Sequence, residues 1–433
     1  MVSAFFYNLF MTVGAIVFAP ALFVKAILTP KYRNRSGKRL GFALGARPGG
    51  SASALPRIWV HALSVGEVAS ARNLVQELRR NYPQGIIIFS AATRSGESFA
   101  RAILREHVDC FAPFPFDLLW SVKRLVSWVK PDLFVLVETD FWPNFLRELN
   151  RRGIPCLLVN GRVSESSLVR YRRFRWLFRP LFNSFQALAM QTEQDAISMR
   201  QLGVDPARLA VLGNLKYDAA LSGSCVKAGL DRAALQIPEQ ALVWVAGSTH
   251  RGEEEIIFAA FQKLARSCAN LFLVVAPRNV ERGAELAAMA ARRGLSAFRR
   301  SLGGAGEGSV LILDTLGELS SVYDLCDVAF VGGSLVPERG HNPLEPAIYG
   351  KPVLFGPFME DFAEISRDLL AVGGARQVHD AEGLCAGLSL LLADPAERER
   401  TGRQAQGLIA SRRGVTEAHI ALIRGILARG ARG

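Results

Sequence analysis

Short, continuous apolar runs recur along the first half of the chain and alternate with amphipathic segments. The runs predict strands at 57–63, 86–89, 133–137, 154–159, 187–190 and 209–212. Because most of them are apolar at nearly every position, they are typical of strands buried on both faces of a parallel sheet. After the first run, apolar residues recur at helical spacing from Val68 to Leu78. This half therefore predicts an open, mostly parallel α/β sheet.

A second series of the same kind follows a stretch, 219–238, in which the strand rhythm is lost. Its predicted strands lie at 242–246, 271–276, 310–313, 328–331 and 353–355. The last two bracket a loop that starts with Gly332 and Gly333 and leads to a short helix predicted at 344–349. Strand, glycine turn, short helix and strand form the crossover unit of a parallel sheet.

These patterns predict two α/β domains, 57–218 and 239–433, joined by a linker at 219–238. Two Rossmann-like, doubly wound domains that face a cleft are the architecture of GT-B glycosyltransferases. Fold alone does not specify chemistry. In open parallel sheets, however, ligands bind beyond the carboxyl ends of the strands, and polar residues cluster directly after the predicted strands.

The N-terminus differs from the rest of the chain. Residues 4–24 are almost wholly apolar, and this length reaches the lower part of the range of about 17–25 residues that crosses a bilayer. Seven basic residues and no acidic residue follow between positions 25 and 47. We predict a membrane anchor at 1–28, a basic tether at 29–56 and, by the positive-inside rule, the rest of the chain on the cytoplasmic side. Whether the anchor spans the bilayer or lies in one leaflet stays open.

The net charge of the 433-residue chain is +13, which points to an acidic partner: a phosphate-bearing substrate, an anionic membrane surface or a nucleic acid. A soluble protein with a basic surface also fits this charge. The segment 170–179 carries five arginines interleaved with aromatic residues, and beside an apolar anchor it favours a lipid surface over nucleic acid. Six cysteines without a CxxC pair predict a reducing compartment and no zinc site.

Three polar residues after strands of the first domain are candidates for catalysis. Glu67 stands at the start of a predicted helix, whose positive end favours the ionised form that a general base needs. Glu138 follows the central strand, and Lys216 follows the last strand, where a lysine could offset charge on a leaving phosphate. Helix capping for Glu67, an ion pair for Glu138 and a solvated side chain for Lys216 are the alternatives. From sequence spacing alone, helix capping is the favoured interpretation of Glu67, and a solvated side chain is the favoured interpretation of Lys216.

The second domain holds three candidate binding segments. Arg278 follows Pro277 at a strand end and suits bidentate phosphate binding. The backbone amides at 317–319, which open a predicted helix, could hold a phosphate or a base edge. Polar side chains at 341–345 could grip a sugar or ribose. P-loop, GxGxxG, HExxH and GxSxG signatures are absent from the sequence, and the histidines lack metal-ligand spacing.

At these positions the sequence resembles the bacterial 3-deoxy-D-manno-octulosonic acid (Kdo) transferases. The matching segments run in order across nearly the whole chain: HALSVGEV at 61–68, ETDFWPN at 138–144, NGRVSE at 160–165, GNLKYD at 213–218, AGSTHRGEE at 246–254, APR at 276–278, DTLGEL at 314–319 and GGSLVPERGHNPLEPA at 332–347. Each segment is weak alone, but together they are highly specific.

The resemblance implies an inverting GT-B enzyme of the bacterial inner membrane that needs no metal or other cofactor. It transfers Kdo from CMP-Kdo to lipid IVA, the tetra-acylated, bisphosphorylated precursor of lipid A. Glu67 is implied as the general base, with Glu138 and Lys216 as transition-state stabilisers. The implied CMP-binding residues are Pro277, Arg278, Gly317, Glu318, Leu319, Asn342, Pro343, Leu344 and Glu345. The alternatives are a GT-B transferase that uses another nucleotide sugar on a membrane lipid acceptor, and a non-enzymatic protein that binds lipid or nucleic acid.

Overall fold

The structure is a computed structural model, and it describes residues 7–8, 11–12, 14, 30–49, 56–138, 141–223, 230–303 and 308–430. The chain divides into two compact units. The first comprises Met1–Ala219 together with Gly414–Gly433, and the second comprises Ala220–Arg413.

Strands and helices alternate through both units. In the first unit they are α1 (Pro30–Arg39), β1 (Arg57–Ala62), α2 (Val65–Asn81), β2 (Ile86–Ala91), α3 (Arg94–Ile103), β3 (Cys110–Phe111), α4 (Leu119–Val129), β4 (Leu133–Val137), α5 (Pro143–Arg151), β5 (Cys156–Gly161), α6 (Glu165–Arg173), α7 (Arg175–Phe182), β6 (Ala187–Met190), α8 (Glu193–Gln201), β7 (Leu209–Val211) and α9 (Leu215–Gly223), whose last residues enter the second unit. The second unit continues with β8 (Leu242–Thr249), α10 (Glu253–Leu264), β9 (Leu271–Pro277), α11 (Gly283–Arg292), β10 (Ala297–Arg299), β11 (Val310–Ile312), α12 (Leu319–Leu325), β12 (Val328–Val331), α13 (Leu344–Ala347), β13 (Val353–Phe355), α14 (Ala363–Ala371), β14 (Ala375–Gln377), α15 (Ala381–Ala393) and α16 (Pro395–Ser411). The last helix, α17 (Val415–Gly430), returns to the first unit.

The first unit is built on a seven-stranded parallel sheet with the order β3-β2-β1-β4-β5-β6-β7. Alternate residues of the central strands pack into different apolar clusters. Trp59 and Phe134 belong to one cluster, and Val60 and Val135 belong to the other. Burial of both faces explains why these strands read as continuous apolar runs, and the prediction of a doubly wound parallel sheet is confirmed.

The second unit repeats this plan with the strand order β10-β11-β9-β8-β12-β13-β14, and every pairing is again parallel. The glycine-rich loop predicted to start with Gly332 connects β12 to its neighbour β13 through the short helix α13. In each sheet, the order along the chain reverses direction at a central strand, which places the loops after the central strands at a topological switch point.

The domain boundaries differ from the prediction at the C-terminus. The prediction placed residues 239–433 in the second domain, but α17 packs its apolar side, including Ile420, Ile423 and Ile426, against the cluster that contains Val60 and Leu74 of the first unit. Helical periodicity predicts an apolar face correctly, but it does not say which sheet that face covers.

Described parts of the predicted tether and linker also belong to the folded units. The region 29–56, predicted as a tether, contains α1, and Arg39 of that helix donates a hydrogen bond to the carbonyl oxygen of Phe114. Within the predicted linker, Leu235 and Ile237 are buried in a core cluster of the second unit. Most of the predicted anchor at 1–28 lies outside the described residues. Among the described helices, none is both long and apolar enough to cross a membrane.

Candidate active site

Glu67 lies in the first turn of α2, directly after the end of β1. Ser64 is the N-cap residue, and the backbone N–H of Glu67 donates to Ser64 Oγ at 3.4 Å. The carboxylate of Glu67 turns back, and its Oε2 accepts a hydrogen bond of 2.6 Å from the N–H of Leu63. The side chain therefore contributes to helix capping, as the alternative interpretation expected. These contacts also hold a largely buried carboxylate in a defined position at the carboxyl edge of the sheet.

Glu138 directly follows the central strand β4, which neighbours β1. Its backbone has a φ of 62°, in the left-handed region that non-glycine residues rarely adopt. Its Oε1 accepts a hydrogen bond of 3.4 Å from Asn160 Nδ2, and its Oε2 lies 3.8 Å from Arg162 Nε. The ion pair with an arginine, which was the alternative interpretation of Glu138, is thus present in the structure.

Asn160, at the end of β5, connects Glu138 with the segment that carries Lys216. While its Nδ2 donates to Glu138, its Oδ1 accepts a hydrogen bond of 3.0 Å from the N–H of Leu215. The next residue, Lys216, donates its backbone N–H to Asn214 Oδ1 at 3.0 Å. Asn160 is fully buried. A carboxylate and a lysine-bearing helix start are therefore tied to one amide at this edge of the sheet.

The sequence analysis did not identify Asn160 as a site residue. The buried amides of Gln191 and Asn214, which bond to each other at 3.1 Å and continue this network, were missed as well. An amide after a strand reads as a turn residue in a sequence. The available signal was the position of Asn160 at the end of a continuous apolar run, where a polar side chain needs a buried partner.

In the second unit, one buried carboxylate shapes the glycine-rich loop. Glu253, in the first turn of α10, is fully buried and accepts backbone N–H hydrogen bonds from Gly333 at 2.7 Å, from Ser334 at 3.0 Å and from Leu335 at 2.9 Å. It also accepts the N–H of His250 at 2.9 Å. The chain after β12 is thereby fixed to the chain after β8.

Arg278, Asn342 and Glu345 come together at this edge. The N–H of Arg278 donates to the carbonyl oxygen of Thr249 at 3.0 Å, which fixes the chain after β9. Asn342 accepts the N–H of Leu344 at 3.2 Å, and its Nδ2 lies 3.3 Å from Glu345 Oε1. Burial raises the pKa of the Glu345 carboxyl, while Asn342 and the positive charge of Arg278 oppose this shift. The arrangement places a cation beside a carboxylate and an amide. A guanidinium can bind a phosphate, and a carboxylate and an amide can bind hydroxyl groups.

Two histidines adjoin this group. His250 Nε2 and His341 Nε2 are 2.8 Å apart, so one ring donates a hydrogen bond to the other. Burial, followed by the charges of Arg278 and His250, lowers the pKa of His341 to about 4. The His341 ring is therefore neutral near pH 7. His341 belongs to the loop that the sequence analysis singled out, whereas His250 was not identified.

The segment 317–319 lies after β11, at the start of α12. Gly317 has a φ of 84°, and a Cβ placed on it would meet no atom within 4 Å. The side chain of Glu318 is occupied, since it forms an ion pair with Arg300 at 2.9 Å that holds its pKa below the usual range. The Glu318 side chain is thus already paired, which leaves the backbone amides of this segment as the groups for the predicted ligand contact, and that contact stays a prediction.

The predicted residues thus form two groups, each at the carboxyl edge of its own sheet. Glu138 and Lys216 are linked through Asn160, and Glu67 follows the adjacent strand. Pro277 ends β9 and Arg278 follows it, while Pro343, Leu344 and Glu345 lie at the start of α13. A carboxylate at a helix N-terminus, on the same sheet edge as a second carboxylate, an amide and a lysine, is chemically suited to general base catalysis and charge stabilisation.

Comparison with solved structures shows the fold. The UDP-GlcNAc 2-epimerase from Neisseria meningitidis, solved with UDP-GlcNAc bound, is 13% identical, with a TM-score of 0.61 over 85% of this chain and 99% of that structure. A glycosyltransferase from Rickettsia africae is 11% identical, with a TM-score of 0.57 over 86% of this chain and 99% of that structure. At these identities the likeness establishes a shared GT-B-like α/β fold.

Comparison of sequences shows the family. The family model described as 3-Deoxy-D-manno-octulosonic-acid transferase (kdotransferase) matches residues 34–219. The 3-deoxy-D-manno-octulosonic acid transferase of Haemophilus influenzae is 33% identical over 409 residues, which cover 93% of this chain and 94% of the relative. The resemblance seen in the sequence is confirmed, and the chain belongs to the 3-deoxy-D-manno-octulosonic acid transferase family.

Proposed function

We propose that this Kdo transferase moves Kdo from CMP-Kdo to lipid IVA in lipopolysaccharide synthesis, with inversion at the anomeric carbon and without a metal ion. Family membership supports the Kdo transfer itself. The observation that carries the proposed mechanism is the carboxylate of Glu67, which is held at the carboxyl edge of the first sheet, after the strand that neighbours the strand before Glu138.

In the proposed reaction, Glu67 takes the proton of an acceptor sugar hydroxyl. The oxygen then attacks C2 of Kdo, and the bond between C2 and the phosphate oxygen breaks, so that CMP leaves with the electron pair. Glu138 and Lys216 stabilise the charge that develops in this step. Because the leaving group is already a phosphate ester, the enzyme supplies mainly a base, positive charge and positioning.

The residues of the second unit suit the donor nucleotide. Arg278 is suited to bind the CMP phosphate because the planar donors of a guanidinium match the oxygens of a phosphate. Asn342 and Glu345 can bind ribose hydroxyls. We assign Pro277, Pro343 and Leu344 to the walls of this site and the backbone of Gly317, Glu318 and Leu319 to the phosphate or the base.

The surface of the first unit supports a membrane location. The predicted arginine and aromatic segment forms two helices, α6 and α7, which break at Phe174. Phe174 is 40% exposed and Trp176 is 56% exposed, and exposed arginines lie on both sides of them. Exposed aromatic side chains among arginines suit the interface of an anionic membrane. We therefore place the protein at the cytoplasmic face of the bacterial inner membrane.

Mass spectrometry of the lipid product tests this function. Purified protein is incubated with lipid IVA and either CMP-Kdo or a UDP-hexosamine. The proposal predicts a product that is heavier by one or more Kdo residues with CMP-Kdo and no product with the UDP sugar. Transfer of the hexosamine, or no Kdo product from active protein, would contradict it.

Treatment with EDTA tests the absence of a metal requirement. Lys216 and Arg278 supply positive charge that a metal would otherwise provide, so we expect the Kdo transfer rate to change less than about twofold. The rate is measured before and after EDTA treatment and again with added Mg²⁺. A loss of activity that Mg²⁺ restores would show that a metal takes part.

A further inference from the structure

A pocket of about 560 Å³ opens on the first unit, and it is not lined by any of the residues assigned above. It lies between α1, the start of α3 and the chain around β3. Its volume falls within the range of about 300–1,000 Å³ that is usual for small-molecule sites. Five cationic side chains and one acidic side chain, Glu97, line it. The cationic residues are Arg35, Lys38, Arg39, Arg94 and Arg101.

The positive charge of this pocket is only partly balanced. Glu97 forms ion pairs with Arg35 at 3.4 Å and with Arg101 at 3.1 Å. The side chains of Lys38 and Arg94, in contrast, form no hydrogen bond or ion pair with any residue in the part of the chain that the structure describes. Cationic groups gathered in a concave surface attract an anion.

Arg94 stands where a cation is locally unfavourable. It is the first residue of α3, whose N-cap is Thr93, and the N-terminal end of a helix carries partial positive charge. A residue type that is unfavourable for its local secondary structure is often found at a functional site. If a phosphate binds here, the helix end and Arg94 both stabilise it, and the unfavourable placement becomes favourable.

Apart from Ser98, the rest of the lining is apolar or aromatic. It includes Phe111, Phe114 and Trp128, and the Arg101 guanidinium lies 4.9 Å from the centre of the Phe111 ring. An inorganic anion needs only the cations. Cations facing an aromatic wall suit a phosphorylated sugar or lipid, because its phosphate binds the cations while its apolar surface packs on the rings.

The pocket adjoins the proposed base. Thr93, the neighbour of Arg94, donates both its N–H and its hydroxyl to the carbonyl oxygen of Leu63, at 3.1 Å and 3.0 Å. The N–H of Leu63 in turn donates to Glu67 Oε2. The backbone of one residue, Leu63, therefore links Thr93, the neighbour of the pocket residue Arg94, to the carboxylate of Glu67.

We propose that this pocket binds a phosphate monoester of the lipid acceptor and thereby directs a hydroxyl of the acceptor sugar to Glu67. The inference rests on the proposed function, which supplies a bisphosphorylated lipid as acceptor. It assigns to Arg94 and Lys38 the recognition of phosphate on the acceptor, separate from the phosphate of CMP.

Direct binding tests the assignment. The dissociation constant for lipid IVA in detergent micelles is compared between wild type and the double variant Arg94→Gln, Lys38→Gln. We expect binding to weaken by about tenfold or more, the effect of losing a charge-assisted hydrogen bond. Arg105→Gln is the matched control, because Arg105 is exposed and lies outside the pocket lining. Lipid IVA freed of both phosphates should bind wild type and the double variant alike.

Two further arms separate other sources of phosphate. Phosphatidylglycerol vesicles should bind the double variant within about twofold of wild type. Equal losses for vesicles and lipid IVA would overturn the proposal in favour of a general membrane surface. Inorganic phosphate that binds as tightly as lipid IVA would assign the pocket to free phosphate and overturn the proposal, as would unchanged lipid IVA binding by the folded variant. If wild type binds lipid IVA but transfers no Kdo, the proposed function fails while the binding comparison still decides this inference.

Discussion

Two non-glycine residues at the edge of the first sheet, Glu138 and Asn160, have left-handed backbones, with φ values of 62° and 55°. Such a conformation costs about 1–3 kcal/mol per residue. The surrounding structure maintains it, because the N–H of Glu138 donates to the carbonyl oxygen of Val159 at 2.9 Å and the Asn160 side chain bonds on two sides. Strain at these positions is consistent with a role in catalysis for Glu138.

Replacement of Asn160 by glycine tests this link. Glycine adopts the left-handed backbone without strain, so Asn160→Gly removes only the side-chain hydrogen bonds to Glu138 and to the N–H of Leu215. We expect kcat to fall by about tenfold or more, since each bond contributes about 1 kcal/mol, while the protein stays folded. Transfer rates and thermal unfolding are compared with Asn150→Ala, an exposed asparagine on α5. A wild-type kcat in folded Asn160→Gly would exclude a role in catalysis.

The buried histidine of β1, His61, should make the folded protein less stable at acidic pH. His61 is fully buried, its ring stacks on Phe114 with 3.6 Å between centroids, and burial lowers its pKa to about 3. In the unfolded chain a histidine has a pKa of about 6.5. Below pH 6.5 the unfolded state therefore binds a proton that the folded state does not, and stability falls as pH falls. At pH 5 this loss amounts to about 2 kcal/mol.

Urea unfolding at pH 7 and pH 5 measures this effect. We expect His61→Asn to reduce the difference in unfolding free energy between the two pH values by about 2 kcal/mol. His379→Asn, which changes an exposed histidine, should leave the difference as in wild type. An equal pH dependence in wild type and His61→Asn would show that His61 is not the source.

At the residue scale, the sequence predicts positions better than contacts. Polar residues after buried strands mark the carboxyl edges of parallel sheets, and this placed Glu67, Glu138 and Lys216 on one edge. The sequence does not show that Glu67 also bonds to Leu63, or that Glu253 gathers the backbone amides of the loop after β12. The Glu253 contacts join residues that are about 80 positions apart and approach only when the sheet is formed.

At the scale of elements, the last helix of the chain supports the first sheet. Its His419 is fully buried, accepts the N–H of Asn160 at 3.4 Å through Nε2, and contacts the carbonyl oxygen of Val415 at 2.7 Å through Nδ1. Since Nε2 accepts, Nδ1 carries the proton and donates. Burial lowers the pKa of His419 and keeps this neutral form. The helix α17 thus contacts the residue that positions Glu138.

The start of α17 is capped from α9. Asp218 accepts the N–H of Gly414 at 3.1 Å and that of Thr416 at 2.6 Å. We expect Asp218→Ala to lower the free energy of unfolding by about 1–2 kcal/mol, because a cap is lost. Thermal unfolding checks this against Glu417→Ala, which changes an exposed carboxylate in the same turn. Equal melting temperatures for the two variants would show that the cap contributes nothing.

The sequence predicts the strands that have an apolar run and misses three short strands that lack one. The predicted buried strands of the central sheets appear within a few residues of their expected bounds. The strands Cys110–Phe111, Ala297–Arg299 and Ala375–Gln377 were not predicted, and all three lie at sheet edges. Ala297–Arg299 and Ala375–Gln377 contain polar residues and Cys110–Phe111 has only two residues, so none of the three has an apolar run that marks a strand. Such strands form because a neighbouring strand offers free backbone groups.

At the scale of the whole molecule, the chain consists of two Rossmann-like units with separate cores, and each carries one group of candidate site residues. This division matches the proposed reaction, in which one substrate would be bound through a nucleotide and the other through a phosphorylated lipid. The expected cleft between the domains stays a prediction. The net charge of +13 suits both phosphorylated substrates and an anionic membrane.

The most direct test of the central claim is the rate of Kdo transfer to lipid IVA by Glu67→Gln, followed by mass spectrometry of the lipid. Glutamine keeps an oxygen that can accept the N–H of Leu63, so we predict wild-type thermal stability and wild-type binding of CMP-Kdo. Without a carboxylate to take the proton, transfer should fall by about 10²–10⁴-fold. A folded Glu67→Gln protein that forms product at the wild-type rate would contradict the proposed mechanism.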